Sequence, residues 1–334
     1  MSVTGQTFVT AISKIMATLG HTNHLWVPVM ALYILLRLTT QRHFRQRWGR
    51  ALRRFAIAGL ISYLVALGLI WAMQPRLLFK PTHILQTTPA SHNLQYEEIW
   101  IPANADTQQP ERLHSWWIPQ PKDRIGTLIY FHGANLNIGF NVTQAYWLRK
   151  LGFDILLAEY RGYGLSEGDF PTEKTFYEDA NAALVYLTQQ RGIPLDEIFV
   201  YGHSLGGAIA IDLASKHPNL AGLIVQNSFT TMSEMVVRSH YAQWFPVRWI
   251  LNQRFDSLQK VRDLEVPLFI THTTGDPLIP VEMGKRLYKA ARSRPKELIL
   301  VDAKTHHNVG AEFKSPEYLA KLKRFAVQAL SVKR

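Results

Sequence analysis

The chain separates into an apolar N-terminal part and a longer part in which short apolar runs alternate with amphipathic stretches. The stretch from Phe55 to Pro75 carries no charge, and Trp71 lies near its end. Basic side chains flank it on both sides: Arg53, Arg54, Arg76 and Lys80. About 20 helical residues cross the hydrocarbon core of a bilayer, and basic residues commonly anchor the ends of such a helix. The pattern therefore predicts a transmembrane helix over residues 55–75.

A second uncharged stretch, residues 15–36, has polar residues around Gly20 and a proline at Pro28, so it either spans the membrane or lies in its interface. We therefore expect one or two N-terminal transmembrane helices. A cleaved signal peptide fits poorly, because the main apolar run begins at residue 55 and no small-x-small cleavage pattern follows Trp71.

The segment between the two apolar stretches is rich in arginine: Arg37, Arg42, Arg45, Arg47, Arg50, Arg53 and Arg54. Short basic loops beside membrane helices set their topology. This loop is therefore expected to be cytoplasmic, and the chain after Pro75 to be non-cytoplasmic. No nucleic-acid-binding motif accompanies the arginines, so no nucleic-acid partner is expected. The predicted organisation is a hydrophobic segment with the Arg-rich loop over residues 1–54, the membrane helix over 55–75, and a folded domain over 76–334.

Past residue 93, short β-rich runs alternate with helical patterns. Eight runs are predicted to be strands: 94–101, 113–118, 127–131, 155–158, 198–201, 222–226, 268–271 and 297–301. The first two are joined by a polar, turn-rich segment that is typical of an antiparallel hairpin. Helical patterns follow from the third strand on: 137–150, 173–190, 205–216, 281–292 and 317–331. This alternation predicts an α/β domain, with a mostly parallel eight-stranded sheet and helices on both faces.

Two segments interrupt the alternation. Residues 74–93 contain Pro75, Pro81 and Pro89 and are predicted to be a juxtamembrane linker. An insertion over residues 227–266, between the sixth and seventh strands, is rich in aromatic residues. Long insertions in compact α/β domains are often functional, so it is expected to be a cap over an apolar pocket. Ordinary core packing is the alternative.

The net charge of +12 belongs to the N-terminal part of the chain. Residues 1–80 hold 10 Lys or Arg and no Asp or Glu, which leaves 27 basic and 25 acidic residues in the remaining 254. That balance is typical of a neutral soluble domain. The chain has no cysteine, which excludes disulfides, thiolate metal sites and cysteine nucleophiles. It carries no metal-binding or cofactor-binding motif, so we expect neither a metal nor a cofactor.

The strongest chemical signal is Gly202-His203-Ser204-Leu205-Gly206, between the fifth predicted strand and a helix. In this strand–turn–helix context a Gly-x-Ser-x-Gly motif exposes the serine hydroxyl on a tight turn, and the glycines let backbone and helix approach closely. Ser204 is therefore the candidate nucleophile. Because a serine hydroxyl needs a base to accept its proton and an acid to orient that base, both are expected to follow it in the chain.

Candidates for both partners follow later strands. Asp276 comes directly after the seventh strand, at the edge where the active sites of open α/β sheets collect. A turn role within Gly-Asp-Pro is the alternative for this residue. Two adjacent histidines, His306 and His307, follow the eighth strand. Only one of them can face Ser204, and the residues alone leave that choice open.

A tetrahedral intermediate needs two backbone N–H donors for its oxyanion. One is expected from Leu205, the residue after the nucleophile, and the other from Ala134 in the His132-Gly133-Ala134 stretch that ends the third strand. The glycine-rich stretch over residues 158–168 matches no phosphate-binding motif and is predicted to be a structural turn near the active site.

Taken together, these motifs resemble the α/β-hydrolase superfamily, and within it the membrane-anchored serine aminopeptidase-like or BEM-like branch. The motifs that carry the resemblance span about residues 75–334: FHGAN, YRGYGLSEG, YGHSLGG, NSFTTM, HTTGDPLIP and THHNV. The family's spacing of its final histidine after the last strand implies His306 rather than His307 as the base. Two departures are Glu159, where the family usually has Asp, and GAN, where related sequences often have GNA.

The resemblance implies hydrolysis of a carboxylic ester, thioester or amide through an acyl-enzyme. Ser204 would attack, His306 would shuttle the proton, Asp276 would orient His306, and Leu205 with Ala134 would hold the oxyanion. A serine hydrolase of the esterase, lipase or thioesterase type is therefore expected. Membrane anchoring and the aromatic insertion suggest a lipid-like or other small amphiphilic acyl substrate, since confinement to a membrane raises its local concentration.

The sequence leaves two alternative hypotheses about function. A membrane-anchored serine peptidase would need acidic groups for the substrate's amino terminus, and residues 227–262 of the insertion carry only Glu234 and Asp256. A non-catalytic hydrolase-fold scaffold has no reason to retain a strained serine turn together with a complete set of catalytic side chains.

Overall fold

The computed structural model describes residues 48–103, 110–238, 244–306 and 315–333, with Met30, Ile34 and Phe313 in addition. The predicted apolar stretch over residues 15–36 therefore lies outside the described residues, apart from Met30 and Ile34. The chain forms two compact units: Met1–Ala72 with Val236–Leu251, and Met73–Met235 with Asn252–Arg334.

The second unit is built on a large mixed sheet. The described strands are β1 (Lys80–Pro81), β2 (Glu97–Pro102), β3 (Arg112–Ile118), β4 (Gly126–Phe131), β5 (Asn135–Leu136), β6 (Phe153–Ala158), β7 (Ile198–His203), β8 (Gly222–Gln226), β9 (Leu268–Thr273) and β10 (Lys296–Val301). Eight of them form one sheet in the order β10-β9-β8-β7-β4-β6-β3-β2. Only the β2–β3 and β3–β6 pairs within this sheet are antiparallel. The predicted mostly parallel, eight-stranded sheet is confirmed.

Helices cover both faces of this sheet. The described helices are α1 (Trp48–Leu78), α2 (Val142–Leu151), α3 (Glu173–Val185), α4 (Leu205–Lys216), α5 (Met232–Val237), α6 (Val247–Ile250), α7 (Ser257–Lys260), α8 (Val281–Ala290) and α9 (Pro316–Lys333). Residues of α2 and α9 share one core cluster with Leu128 and Tyr130 of β4. The alternate residues Ile129 and Phe131 are buried as well, because successive strand side chains point to opposite faces. The central strands are therefore apolar throughout rather than alternating.

Helix α1 carries the predicted membrane span and is longer than the sequence pattern indicates. It begins at Trp48 and ends at Leu78, so Arg50, Arg53 and Arg54 lie in its first turns rather than in a loop. No proline lies between Trp48 and Phe55, and arginine is a good helix former. The most apolar 18-residue window within Ala51–Leu78 has a mean hydropathy of 2.2, and none of that window is buried inside the protein. By length and composition it is able to cross a membrane.

The residues after α1 belong to the folded domain rather than to a free linker. Phe79 is buried and packs edge-on against Phe176 and Phe255, with ring centroids 5.0 and 6.0 Å away. Strand β1 then pairs in parallel with β5. Sequence patterns missed this pairing because two-residue strands leave no periodicity.

The insertion between β8 and β9 divides its aromatic residues into two groups. Phe229 and Phe255 are buried in the second unit. Trp244 and Trp249, which belong to the first unit, are 61% and 90% exposed. Core packing thus accounts for one group only, and the expectation that the insertion caps a pocket stays a prediction.

Candidate active site

Ser204 lies on the tight turn between β7 and α4. Its backbone adopts φ +56° and ψ −119°, a conformation that is strained for a residue with a side chain and that persists at functional turns. The glycines on either side are required by close backbone packing. A Cβ atom at Gly202 would collide with the carbonyl of Gly206, and one at Gly206 would collide with the carbonyl of Phe131. The Gly-x-Ser-x-Gly pattern is therefore explained by sterics.

The structure brings Ser204, His306 and Asp276 together at the carboxyl edge of the sheet. His306 Nε2 lies 2.9 Å from Ser204 Oγ, and His306 Nδ1 lies 2.7 Å from Asp276 Oδ2. All three side chains are almost completely buried. A proton on Nδ1 satisfies both contacts, since it can be donated to the carboxylate while Nε2 accepts from the serine hydroxyl. This is the arrangement that general-base activation of a serine requires.

Backbone donors hold Asp276 in its ionised form. Its Oδ1 accepts hydrogen bonds from the N–H groups of Leu278 and Ile279, at 2.8 and 2.9 Å. Burial by itself would raise the pKa of Asp276, but the hydrogen bond from His306 and these backbone bonds outweigh it. The pKa is held below its ordinary value. Nε2 of His272, near the end of β9, lies 2.9 Å from the carbonyl oxygen of Ile279. This contact stabilises the same loop.

Two polar side chains hold the backbone carbonyl of His306. The carbonyl oxygen of His306 lies 3.1 Å from His203 Nε2 and accepts a 3.0 Å hydrogen bond from Asn227 Nδ2. Asn227 Oδ1 in turn accepts from the N–H of Thr273, at 2.9 Å. This network ties the loop after β10 to the ends of β7, β8 and β9, which sets the reach of His306. The alternative base, His307, lies outside the described residues.

The loop after β4, which contains Ala134, passes directly beside Ser204. A Cβ atom at Gly133 would lie 3.4 Å from Ser204 Cβ. Among the described residues, neither the N–H of Leu205 nor that of Ala134 has a hydrogen-bond acceptor. Both predicted oxyanion donors therefore have a free N–H near the nucleophile.

Side chains hold all three carbonyl groups of that loop, and two of these side chains come from the glycine-rich segment after β6. Tyr160 donates to the carbonyl of His132 at 3.0 Å, and Tyr163 donates to that of Ala134 at 2.7 Å. The carbonyl of Gly133 lies 2.8 Å from Nδ1 of His132. Because N–H and C=O point in opposite directions across a trans peptide, fixing the Gly133 carbonyl also fixes the direction of the Ala134 N–H. The predicted structural turn thus supports the candidate oxyanion site.

A buried ion pair completes this support. His132 Nε2 lies 2.6 Å from Glu159 Oε1, and both side chains are almost wholly excluded from water. Glu159 Oε2 accepts a further bond from the N–H of Ile138, at 3.1 Å. The departure from Asp to Glu at this position therefore leaves a carboxylate that reaches its partners.

Sequence reasoning missed Asn227, Tyr160 and Tyr163 as supporting residues. Asn227 directly follows β8, at the edge where the site forms, and that position was a usable signal. The two tyrosines lie in a motif that was noted, but nothing local indicates which loop their hydroxyls reach. No group of three or more potential metal ligands occurs in the described part of the chain.

The chain is similar to several known proteins. The family model described as serine aminopeptidase, S33, matches residues 122–260. An uncharacterised protein of Mycobacterium tuberculosis is 30% identical over 264 residues, covering 78% of this chain and 89% of that protein. Protein bem46 of Schizosaccharomyces pombe is 29% identical over 276 residues, covering 77% and 88%. A solved esterase structure from Pyrococcus furiosus has a TM-score of 0.62 at 21% identity, over 75% of this chain and 99% of that one. At this level of identity, the structural likeness shows a shared fold and nothing more.

Proposed function

This chain belongs to the S33, Bem46-like branch of the α/β hydrolases, and we propose that it is a membrane-anchored serine hydrolase that cleaves an acyl ester or thioester. The observation that carries the proposal is the chain of hydrogen bonds from Ser204 through His306 to Asp276, at 2.9 and 2.7 Å. Those distances match what nucleophile, base and orienting acid need before substrate arrives.

In the proposed acylation half, Ser204 Oγ attacks the carbonyl carbon of the substrate while its proton passes to His306 Nε2. The carbonyl oxygen becomes an oxyanion, which we propose the N–H groups of Leu205 and Ala134 bind. The intermediate then collapses, and the bond to the alcohol or thiol breaks as His306 gives its proton to that leaving group. Asp276, ionised at neutral pH, stabilises the imidazolium between these transfers.

In the deacylation half, a water molecule takes the place of the leaving group. His306 Nε2 removes a proton from the water as its oxygen attacks the acyl carbon. Collapse of the second intermediate breaks the bond to Ser204 Oγ, which recovers its proton from His306 and releases the carboxylic acid. The same two backbone donors serve both intermediates.

Membrane anchoring is the second part of the proposal. It is supported by α1, whose Ala51–Leu78 stretch is long and apolar enough to cross a bilayer. The proposed orientation places the arginine-rich segment in the cytoplasm and the hydrolase domain on the other side. An anchored enzyme meets amphiphilic substrates at high local concentration, which favours a lipid-like acyl group. Reporter fusions after residue 80 test the orientation. A fused reporter that is active only in the cytoplasm would contradict the proposed orientation.

Ester or thioester cleavage is better supported than removal of an amino-terminal residue from a peptide. An aminopeptidase needs an acidic group that can receive the substrate's ammonium. Of the two candidates within residues 227–262, Glu234 is bound by Arg286 at 2.5 and 3.0 Å. Asp256 lies 3.5 Å from Arg254 Nε. With a guanidinium already beside each carboxylate, neither one favours a second cation.

Labelling with a fluorophosphonate probe in detergent tests the proposed nucleophile. We expect wild-type protein to be labelled, Ser204→Ala to be unlabelled, and His306→Ala to be labelled far more slowly. Ser215→Ala is a matched control that should be labelled like wild type, because that hydroxyl lies near the far end of α4 and donates to the carbonyl of Asp212, at 2.7 Å. Absence of labelling in folded wild-type protein would favour the scaffold alternative.

Substrate class is tested with the same purified protein. We expect turnover of p-nitrophenyl esters that rises with acyl chain length, and little turnover of amino-acid p-nitroanilides. Faster hydrolysis of the p-nitroanilides would instead support the peptidase alternative.

A further inference from the structure

The first compact unit joins α1 to part of the insertion, the segment Val236–Leu251. Within this unit the ring of Phe245 stacks on the ring of Tyr63, with centroids 6.2 Å apart and planes 8° from parallel. The Tyr63 hydroxyl also lies 3.5 Å from the carbonyl oxygen of Trp244. The insertion therefore contacts the membrane-spanning helix directly.

The contact lies well inside the apolar span rather than at its end. Tyr63 is 12 residues from Ala51 and 15 from Leu78, the two ends of the span. At about 1.5 Å per residue these separations are about 18 and about 22 Å along the helix axis. A bilayer around α1 has a hydrocarbon core about 30 Å thick. A segment stacked on Tyr63 is therefore close to lipid.

The exposed side chains of this segment are unusual for a surface in water. Trp249 is 90% exposed and Trp244 is 61% exposed. The eight residues 244–251, WFPVRWIL, include one charge, that of Arg248. Large apolar side chains grouped on a surface mark a contact site, and tryptophan is enriched where protein meets the interface of a membrane. Arginine is compatible with that setting, since its long side chain reaches back to the headgroups.

Both ends of the segment return to the hydrolase unit, at Met235 and Asn252. It therefore cannot cross the bilayer and has to enter and leave by the same face. We propose that residues 244–251 form a second membrane contact, which inserts beside α1 with Trp244 and Trp249 against lipid. This inference rests on the membrane anchoring proposed above and assigns this part of the insertion to the bilayer rather than to a lid over a pocket.

The absence of cysteine makes the inference directly testable. Single cysteines replace three exposed residues: Trp249→Cys in the segment, Leu69→Cys in the span, and Val327→Cys on α9 of the hydrolase domain. Each full-length variant is labelled with the fluorophore NBD and reconstituted in phosphatidylcholine vesicles. Quenching by doxyl-labelled lipid and by aqueous iodide is then measured. Fluorophosphonate labelling of each variant checks folding, and Trp244→Cys is a second position in the segment.

We expect the labels at residues 249 and 69 to be quenched by doxyl lipid and protected from iodide several-fold relative to the label at 327. Iodide access at 249 equal to that at 327, with residue 69 protected, would overturn the second contact and leave the anchor in place. Iodide access at both 249 and 69 would overturn the anchor and this inference with it. Protection at 249 without doxyl quenching would mean that a second copy of the chain covers the segment, which also overturns the inference.

Discussion

The hydroxyl of Tyr163 donates a 2.7 Å hydrogen bond to the carbonyl oxygen of Ala134, and so ties the segment after β6 to the loop after β4. The same carbonyl accepts from the backbone N–H of Lys80, at 3.1 Å. Burial and the nearby Glu159 carboxylate raise the pKa of Tyr163 well above its ordinary value, so the hydroxyl keeps its proton and stays a donor. The Ala134 peptide is thereby held from two sides.

Loss of this hydroxyl is expected to slow catalysis without unfolding the protein. In Tyr163→Phe the ring keeps its packing while the Ala134 carbonyl loses one of its two hydrogen bonds. Because a displacement of about 1 Å at a catalytic group costs up to about 100-fold in rate, we expect kcat on a p-nitrophenyl ester to fall roughly 10- to 100-fold. KM should change much less.

Tyr186→Phe is the matched control for this variant. Its hydroxyl is bound by Arg191 Nε at 2.7 Å, in a part of the second unit that does not contact the catalytic loops. Its kcat should equal that of wild type. An unchanged kcat in Tyr163→Phe would mean that the hydrogen bond from Lys80 is sufficient to hold the Ala134 carbonyl in place.

Asp276→Asn is expected to preserve the fold and to remove most of the activity. The amide places an N–H donor or a neutral oxygen where His306 needs an ionised acceptor, which favours the wrong imidazole tautomer. In triad enzymes this change lowers kcat by about 10⁴-fold. Asp302→Asn, in the neighbouring loop, where the carboxylate accepts a 3.2 Å hydrogen bond from the Thr274 hydroxyl, should retain wild-type activity. Steady-state kinetics with a p-nitrophenyl ester distinguish the two, and equal losses would argue against a specific role for Asp276.

Acid sensitivity of the fold is expected to depend in part on His114. Its side chain is completely buried between the rings of Trp100 and Trp116. Burial lowers its pKa below 6.5, although the carboxylate of Glu98, 3.8 Å from Nε2, opposes the shift. The unfolded chain therefore binds a proton more readily than the folded one. The stability that the neutral ring contributes is full above pH 6.5 and is lost as the pH falls through the lowered pKa.

Thermal unfolding in detergent measures this dependence. The Tm of wild type should fall between about pH 7.5 and about pH 5.5, and that of His114→Phe should fall less, because it has no ring to protonate at this site. Parallel Tm profiles for the two proteins would contradict the assignment. The two proteins are compared by the slope of Tm against pH, so a constant offset in Tm from the new side chain does not affect the result.

Phe79→Ala tests whether the segment after α1 is part of the hydrolase core. Phe79 is 1% exposed and contacts Phe176 and Phe255. Truncation of a buried phenylalanine costs about 3–5 kcal/mol of the free energy of unfolding. Phe55→Ala, at a position that is 76% exposed on α1, should leave the stability of the hydrolase domain unchanged. Equal Tm values for the two variants would mean that the segment is a dispensable linker.

The sequence by itself determined the features that depend on local pattern. The strands and the serine turn follow from apolar periodicity and from glycine sterics, which act over a few residues. Chain order then placed Ser204, Asp276 and the pair His306 and His307 as successive candidates, because the carboxyl ends of parallel strands meet at one edge. The apolar run within α1 is equally visible in the sequence, although the helix extends beyond it at both ends.

Only the tertiary structure decided which side chains support those candidates. Tyr163 reaches a loop 29 residues earlier, and Asn227 reaches His306 across 79 residues. A side chain's direction depends on how its element packs, and no local pattern encodes that. The same is true of the insertion, since the sequence offers one aromatic stretch while packing buries Phe255 and leaves Trp249 exposed. Burial is a property of the folded neighbourhood, and for that reason this division appears only in three dimensions.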